Sequence, residues 1–416
     1  MSKFRRFLES RGFINAASSI LAIVVGLLVG LVILLVSNPS EAFRGLWVIL
    51  QGGFGGGAKG VGQVLYFATP IIMTGLSVGF AFKTGLFNIG TPGQFIVGAF
   101  AAIYIGVKWT FLPGALHWIV ALLGATVAGG LWALIPGIFK AFFNVNEVIS
   151  SIMMNYIGMY GVNYLVKKNI YDSLKALSQN VAPTAVLPRA GLDKIFYNMT
   201  GANNVHDAST VNCGILIAIA MAIVVYIILN KTTFGYELKA CGYNRHASRY
   251  AGINEKRNIV LSMVISGMLA GLGGGLLYLS GANGRRIKVV DVLAAEGFNG
   301  IPVALLGLSN PLGIIFSGLF ISYITQGGNY LQRLDFVPEI IDIIIAAIIY
   351  CSALALIFKN LVVRLVGGKK KEAEDIAAEA GRAGMSGKGL LPPEETPETP
   401  EKELAADQEA ETGKEE

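Results

Sequence analysis

The side chains in this sequence best placed to meet a small molecule are amides. Asn88, Gln94, Asn155 and Asn299 all sit inside long uncharged runs. An amide carries donors and an acceptor together, which suits sugar hydroxyls and the edges of nucleobases. In hydrocarbon such a group is costly to leave unpaired, so each must face a neighbouring helix or a polar cavity. The sequence leaves both readings open for all of them. Three acids lie at the borders of uncharged runs instead: Glu147 before Val148–Val166, and Glu339 and Asp342 after Pro338. A carboxylate there favours the positive end of a helix dipole. A substrate role is the competing reading for Glu147.

No catalytic pattern accompanies these residues. The sequence has no GxxxxGKS or GxxxxGKT phosphate loop and no HExxH pair. His117, His206 and His246 lie far apart, and Cys213, Cys241 and Cys351 lack CxxC spacing. No catalytic residue, metal site or cofactor is expected on this chain, and it carries no P-loop ATPase of its own. One polar stretch, Lys231–Arg257, has a shape of its own. Asn244 suits a helix N-cap and Gly252 a C′ position, with about two helical turns between them. Ala247, Tyr250 and Ala251 then share one face, with Arg245 and Arg249 on its neighbour. Such a helix fits a groove on another protein or the lipid headgroups, and composition alone does not separate the two.

The elements that hold these residues follow from composition. Apolar residues make up 53% of the 416, and charged residues only 14%, against about 25% in soluble domains. Uncharged runs long enough to span a bilayer recur: Ala16–Val36, Val61–Phe82, Thr84–Val107, Leu112–Phe139, Val148–Val166, Ala208–Asn230 and Asn258–Gly284. The stretch Gly297–Gln332 is split by the turn signal Ser309-Asn310-Pro311, and Val337–Phe358 ends the series. The expectation is an all-α polytopic membrane protein of about ten spans, occupying residues 1–367. Ordinary soluble enzymes, disulfide scaffolds and nucleic-acid binders are excluded. Gly26 and Gly30 give the first span a GxxxG edge suited to close helix contact.

An even span number puts both termini on one side. That side, which includes the Lys231–Arg257 loop, collects 17 Lys and Arg against 12 on the other, which makes it cytoplasmic. The outer trio Arg285, Arg286 and Lys288 runs against this bias. Residues 368–416 are Pro-rich and acidic and read as a disordered cytoplasmic tail. A short echo links Phe87-Asn88-Ile89-Gly90 with Phe298-Asn299-Gly300-Ile301. The ten-span arrangement puts these near opposite sides of the membrane, the pattern of an inverted repeat around a transport path.

Several of these stretches carry a resemblance. Gly235-Tyr-Glu-Leu-Lys-Ala-Cys-Gly-Tyr-Asn244, Ala247-Ser-Arg-Tyr-Ala-Gly-Ile253, the Gly-rich segment Gly267–Gly275 and Gly297-Phe-Asn-Gly-Ile-Pro-Val-Ala-Leu-Leu-Gly307 resemble the membrane permeases of ABC importers. The branch is that of ribose and branched-chain amino-acid permeases. Gly85-Leu-Phe-Asn-Ile-Gly-Thr-Pro-Gly-Gln-Phe95 and Asn146-Glu-Val-Ile-Ser-Ser-Ile-Met-Met-Asn-Tyr156 look like its nucleoside-type members, which work with basic-membrane-protein lipoproteins. Members of that branch often carry an acid where this chain has Pro92, which bears on the exact substrate.

The resemblance implies a subunit of the bacterial cytoplasmic membrane that passes nucleosides. It implies a separate ABC ATPase, a second homologous permease, an extracellular substrate-binding lipoprotein and surrounding lipid as partners. Glu237, Asn244, Arg245, Ala247, Arg249, Tyr250, Ala251 and Gly252 would then form the ATPase-coupling element, with Glu237, Arg245 and Arg249 making polar contacts at its rim. Sugar or branched-chain amino-acid permeases are the nearest alternatives, and an ion-coupled secondary transporter is an alternative of another class. Ionisable residues at mid-span would mark that class, and the deep positions here are mostly amides.

Overall fold

The structure is a computed structural model that describes residues 11–362, except 201–204, 281–285, 335, 355–356 and 360–361. Lys3, Arg5, Arg6, Arg285, Arg364 and the tail expected at 368–416 lie outside the described residues. Those described all belong to the first of the two units into which the chain divides, Met1–Lys369.

Apolar runs become helices, and local chemistry sets where they begin. The long ones are α1 (Arg11–Ser37), α3 (Gly57–Lys83), α4 (Thr91–Lys108), α5 (Gly114–Phe143), α6 (Glu147–Asn169), α7 (Gly214–Lys231), α10 (Glu255–Tyr278), α13 (Pro311–Asn329) and α14 (Pro338–Ala353). Asn146, Asn254 and Asn310 cap α6, α10 and α13, accepting the N–H groups of Val148, Arg257 and Leu312 at 2.8, 3.1 and 3.0 Å. Pro311 in the first turn of α13 fits a position whose N–H has no helical partner. Five stretches among the described residues are long and apolar enough to cross a membrane: Ala17–Ser37, Ala42–Lys83, Gly114–Phe143, Gly214–Lys231 and Glu255–Tyr278.

The centre of the fold is α10, packed against α5, α4 and α3. Its glycines bring backbones into direct contact. A Cβ on Gly271 would collide with the Ala125 carbonyl of α5, and one on Gly274 with the Phe95 carbonyl of α4. At the periphery α1 pairs with α14. Gly26 lies against Ile348, where a Cβ would stand 3.0 Å from its carbonyl oxygen, and Gly30 lies against Ile344. The GxxxG edge is therefore a contact edge, as its spacing implies.

Four features differ from the expected spans. The run Thr84–Val107 is not one helix: α3 ends at Lys83, Gly85 takes φ 75°, and α4 begins only at Thr91. Gly297–Ser309 forms two short helices, α11 (Ala295–Phe298) and α12 (Gly300–Leu306). Seven residues reach about 10 Å, a third of the hydrocarbon thickness. An additional helix, α2 (Ala42–Gln51), buries Ala42, Gly45 and Ile49 and leaves Phe43 and Trp47 exposed. Between α6 and α7 lie two antiparallel hairpins, β1 (Tyr171–Asp172) with β2 (Leu177–Ser178), and β3 (Tyr197–Thr200) with β4 (Val205–Ala208). The otherwise all-α chain thus carries a little strand where polar, turn-rich sequence connects its helices.

Replacing Gly274 by Val should destabilise the fold by about 1–3 kcal/mol, the usual penalty of overpacking. Gly114→Ala, where nothing lies within 4 Å of the new Cβ, is the control. Thermal unfolding of the purified chain in detergent reads the difference, and equal midpoints would remove the packing role of Gly274.

Candidate functional site

Two interrupted elements meet inside the fold. The first is the non-helical turn after α3, leading into α4. The second is the irregular chain before α11, leading into α12. They touch where Gly297 lies on Pro92, so closely that a Cβ on Gly297 would overlap the Pro92 backbone. Gly300 is pressed on Thr74 of α3 in the same way.

Around the first element the buried backbone is held by side-chain amides. Asn88 Nδ2 donates to Gln94 Oε1 at 2.8 Å and to Ser266 Oγ at 2.7 Å. Asn88 Oδ1 accepts from Gln94 Nε2 at 3.1 Å and from the Gly90 N–H at 3.0 Å. Asn155, reaching in from α6, accepts the Gly93 N–H and donates to the Ile89 carbonyl, both at 2.9 Å. The Ser266 hydroxyl passes the network to the Ser77 carbonyl of α3 at 2.7 Å. Asn88, Gln94 and Asn155 are all buried. The fully buried polar side chains among the described residues are amides, hydroxyls and His117.

Of the four amides read from the sequence, the fold therefore brings three together, and each is spent on this chain's own polar groups. Asn299 shares no hydrogen bond with them. It stands half-buried at the start of α12 and makes no side-chain capping bond. Sequence reasoning missed Asn163, whose Nδ2 donates to the Val290 carbonyl at 3.0 Å and to Asp291 Oδ1 at 2.9 Å. Its signal was present: Asn155 and Asn163 are eight residues apart, close to one face of a helix. One helix thus holds both interrupted elements. Glu147 pairs with Lys140 Nζ at 2.8 Å in the first turn of α6, the helix-end placement rather than a buried one.

The Lys231–Arg257 loop folds as two helices, α8 (Thr233–Tyr243) and α9 (Arg245–Tyr250). The Thr232 hydroxyl caps α8, accepting the Gly235 N–H at 3.0 Å. Asn244 caps α9, accepting the Ala247 N–H at 3.0 Å, and Gly252 takes φ 80°. Ser248 is the buried residue of α9, while Ala247, Arg249, Tyr250 and Ala251 are exposed. Tyr250 is 94% exposed. Two of the residues expected at the rim have partners within the chain: Arg245 faces Glu255 at 3.7 Å, and Glu237 accepts from Asn258 Nδ2 at 3.4 Å. Beneath this surface Gly242 of α8 packs directly on the backbone of Thr84 and Gly85. The loop is thereby in contact with the turn that leads to Asn88.

At the opposite end of α3 an open cavity of about 590 Å³ is lined by Lys59, Gln63, Asn198, Asp207, Gln326 and Arg333 among others. Lys59 Nζ and Asp207 Oδ2 pair across it at 2.6 Å.

Packed apolar helices, two interrupted elements held by amides, and an exposed helical surface joined to one of them are the frame of a polytopic membrane protein. Residues 60–353 match the family described as branched-chain amino acid transport system, permease component. The chain belongs to that family. It is 38% identical over 356 residues to the guanosine ABC transporter permease protein NupP of Bacillus subtilis, covering 85% of this chain and 96% of the relative. It is 33% identical over 368 residues to the nucleoside ABC transporter permease protein NupB of Lactococcus lactis, covering 85% and 95%. The glucose ABC transporter permease protein TsgB13 of Haloferax volcanii is 31% identical over 336 residues, covering 79% and 84%. No solved structure matches the chain significantly.

Asn155→Leu would strip partners from the Gly93 N–H and the Ile89 carbonyl, at about 1–3 kcal/mol for each buried group left unmade. A clear fall in the unfolding midpoint of the purified protein is expected. A midpoint equal to the parent's would show that the amide does not hold the turn.

Proposed function

We infer that this chain is the membrane subunit of an ATP-driven importer, and that it passes nucleosides across a bacterial cytoplasmic membrane. The observation that carries this reading is its 38% identity, over 85% of the chain, to a permease named for guanosine. An uncharged, amide-rich polar layer is chemically consistent with a neutral, hydroxylated ligand that has hydrogen-bonding base edges. Sugars are the second reading, favoured by the 31% identity to the glucose permease.

The chain crosses the membrane ten times in this reading. The segments Thr84–Lys108 and 286–309 are interrupted crossings, each part helix and part irregular. Their contact at Pro92 and Gly297, and the echo of Phe87–Gly90 in Phe298–Ile301, support an inverted repeat. Irregular backbone at membrane depth is tolerated where protein surrounds it or a cavity adjoins it. Asn299, whose side chain makes no capping bond, is the amide most available to a passing ligand. Both termini and the α8–α9 surface face the cytoplasm.

ATP is hydrolysed on a separate subunit that docks on Ala247, Arg249, Tyr250 and Ala251. Its motion reaches Asn88 through the Gly242–Gly85 contact. A second, homologous permease completes the assembly, as the paired relatives support: NupP and NupQ of one organism both match the chain, as do NupB and NupC of another. An extracellular binding lipoprotein delivers substrate, and the cavity between Lys59 and Arg333 lies on the side where it would arrive.

The test is uptake into proteoliposomes. With its ATPase, partner permease and binding lipoprotein, the chain should accumulate labelled guanosine only when ATP is supplied. Gradient-driven uptake by the chain alone would overturn the reading in favour of a secondary transporter. Gly252→Val should lower uptake at least tenfold while the subunits still co-purify. A side chain there meets no neighbour but must adopt a left-handed backbone costing about 1–2 kcal/mol. Undiminished uptake would remove Gly252 from the coupling element.

A further inference from the structure

The outward face of α6 is aromatic as well as apolar: three tyrosines are exposed on it beside Ile149, Ile152, Met153, Ile157 and Leu165. Tyr156, Tyr160 and Tyr164 follow one another at single-turn spacing and are 48%, 55% and 62% exposed. Ile149 and Met153 continue the same stripe toward the helix start. A tyrosine belt at a membrane interface lies at one depth. These rings run along the helix for about 12 Å, and Tyr156 and Tyr160 fall near its middle. The helix has 23 residues, with Asn155, Asn163 and the three tyrosines among them. Gly161 beside the stripe has nothing within 4 Å of where a Cβ would stand, so the face is open as well as aromatic. At its far end the Lys168 ammonium sits 5.8 Å from the centre of the Tyr164 ring. The opposite face of the same helix holds both interrupted elements, through Asn155 and Asn163.

We propose that Tyr156, Tyr160 and Tyr164 form a stacking rail on the wall of the translocation path, along which the planar base of the ligand moves from ring to ring. The rail rests on the nucleoside reading above and names the residues that recognise the base. Aromatic rings stack on any base without reading its edge, so they pass purines and pyrimidines alike. The phenol hydroxyls face water in the path, which removes the cost of placing them in lipid. The same helix carries Asn155 on its buried side, so one rigid element joins the rail to the irregular turn.

The experiment uses the complete transporter in proteoliposomes, with Cys213, Cys241 and Cys351 replaced by Ala. Tyr160→Cys should react with a charged, water-soluble methanethiosulfonate reagent, and guanosine should slow that reaction several-fold. Leu216→Cys, on the exposed face of α7, should stay unlabelled. Tyr160→Leu should lower guanosine uptake about tenfold, the size of one lost base–aromatic stack, with the subunits still co-purifying. Tyr160→Phe, which keeps the ring, should recover most of that loss. Absence of labelling at Tyr160→Cys would put the face in lipid or protein and overturn the rail. So would labelling that guanosine does not slow, uptake by Tyr160→Leu equal to the parent's, or loss of co-purification in that variant. Failure of the unmutated complex to carry any nucleoside would instead refute the functional reading, while the labelling arm would still report whether the face is wet.

Discussion

A polypeptide that leaves helical geometry inside an apolar fold must find partners for every backbone N–H and C=O it frees. This constraint governs the chain between Lys83 and Thr91. The Gly90 N–H goes to Asn88, and the Gly93 N–H and Ile89 carbonyl go to Asn155. Water at that depth would supply the same bonds in a loosely packed protein, but the packing here is tight. Amides are the side chains suited to the task, because each one offers a donor and an acceptor without bringing a charge. The polar layer is therefore a consequence of the interruption. The same groups that stabilise the turn are those a ligand would have to compete for.

Close helix contact is the second condition. The Ser77, Asn88 and Ser266 groups meet only because α3, α4 and α10 approach within backbone contact. That approach is permitted by Gly271 and Gly274 on α10 and by Gly98 on α4, which faces Gly271. Packing among small residues replaces the hydrophobic driving force that water would supply elsewhere. The glycines position the hydrogen-bonding layer although none of them belongs to it.

A mechanical connection follows from the same economy of side chains. Gly242 on α8 and Gly85 in the irregular turn touch through their backbones, so a displacement of α8 has no flexible side chain to absorb it. The exposed residues of α9, Tyr250 foremost, stand one short helix away from that contact. Asn163 and Asn155 give α6 a comparable hold on both interrupted elements.

Much of this was legible in the residues themselves. Most of the uncharged runs, the Asn244 cap, the Gly26–Gly30 edge and the left-handed Gly252 follow from rules spanning a few residues, and the fold honours them. The run Thr84–Val107 misled because hydropathy measures composition. It does not measure whether a backbone is helical, and the amides that make the break tolerable come from α6 and from Gln94. Likewise nothing local announced that Glu237 and Arg245 would be engaged by Asn258 and Glu255, or that Pro92 would meet Gly297 some two hundred residues away. Short-range patterning determined which residues are helical, capped or bent. Only the tertiary fold decided which polar groups are spent on one another and which remain free, because that depends on contacts between segments distant in sequence.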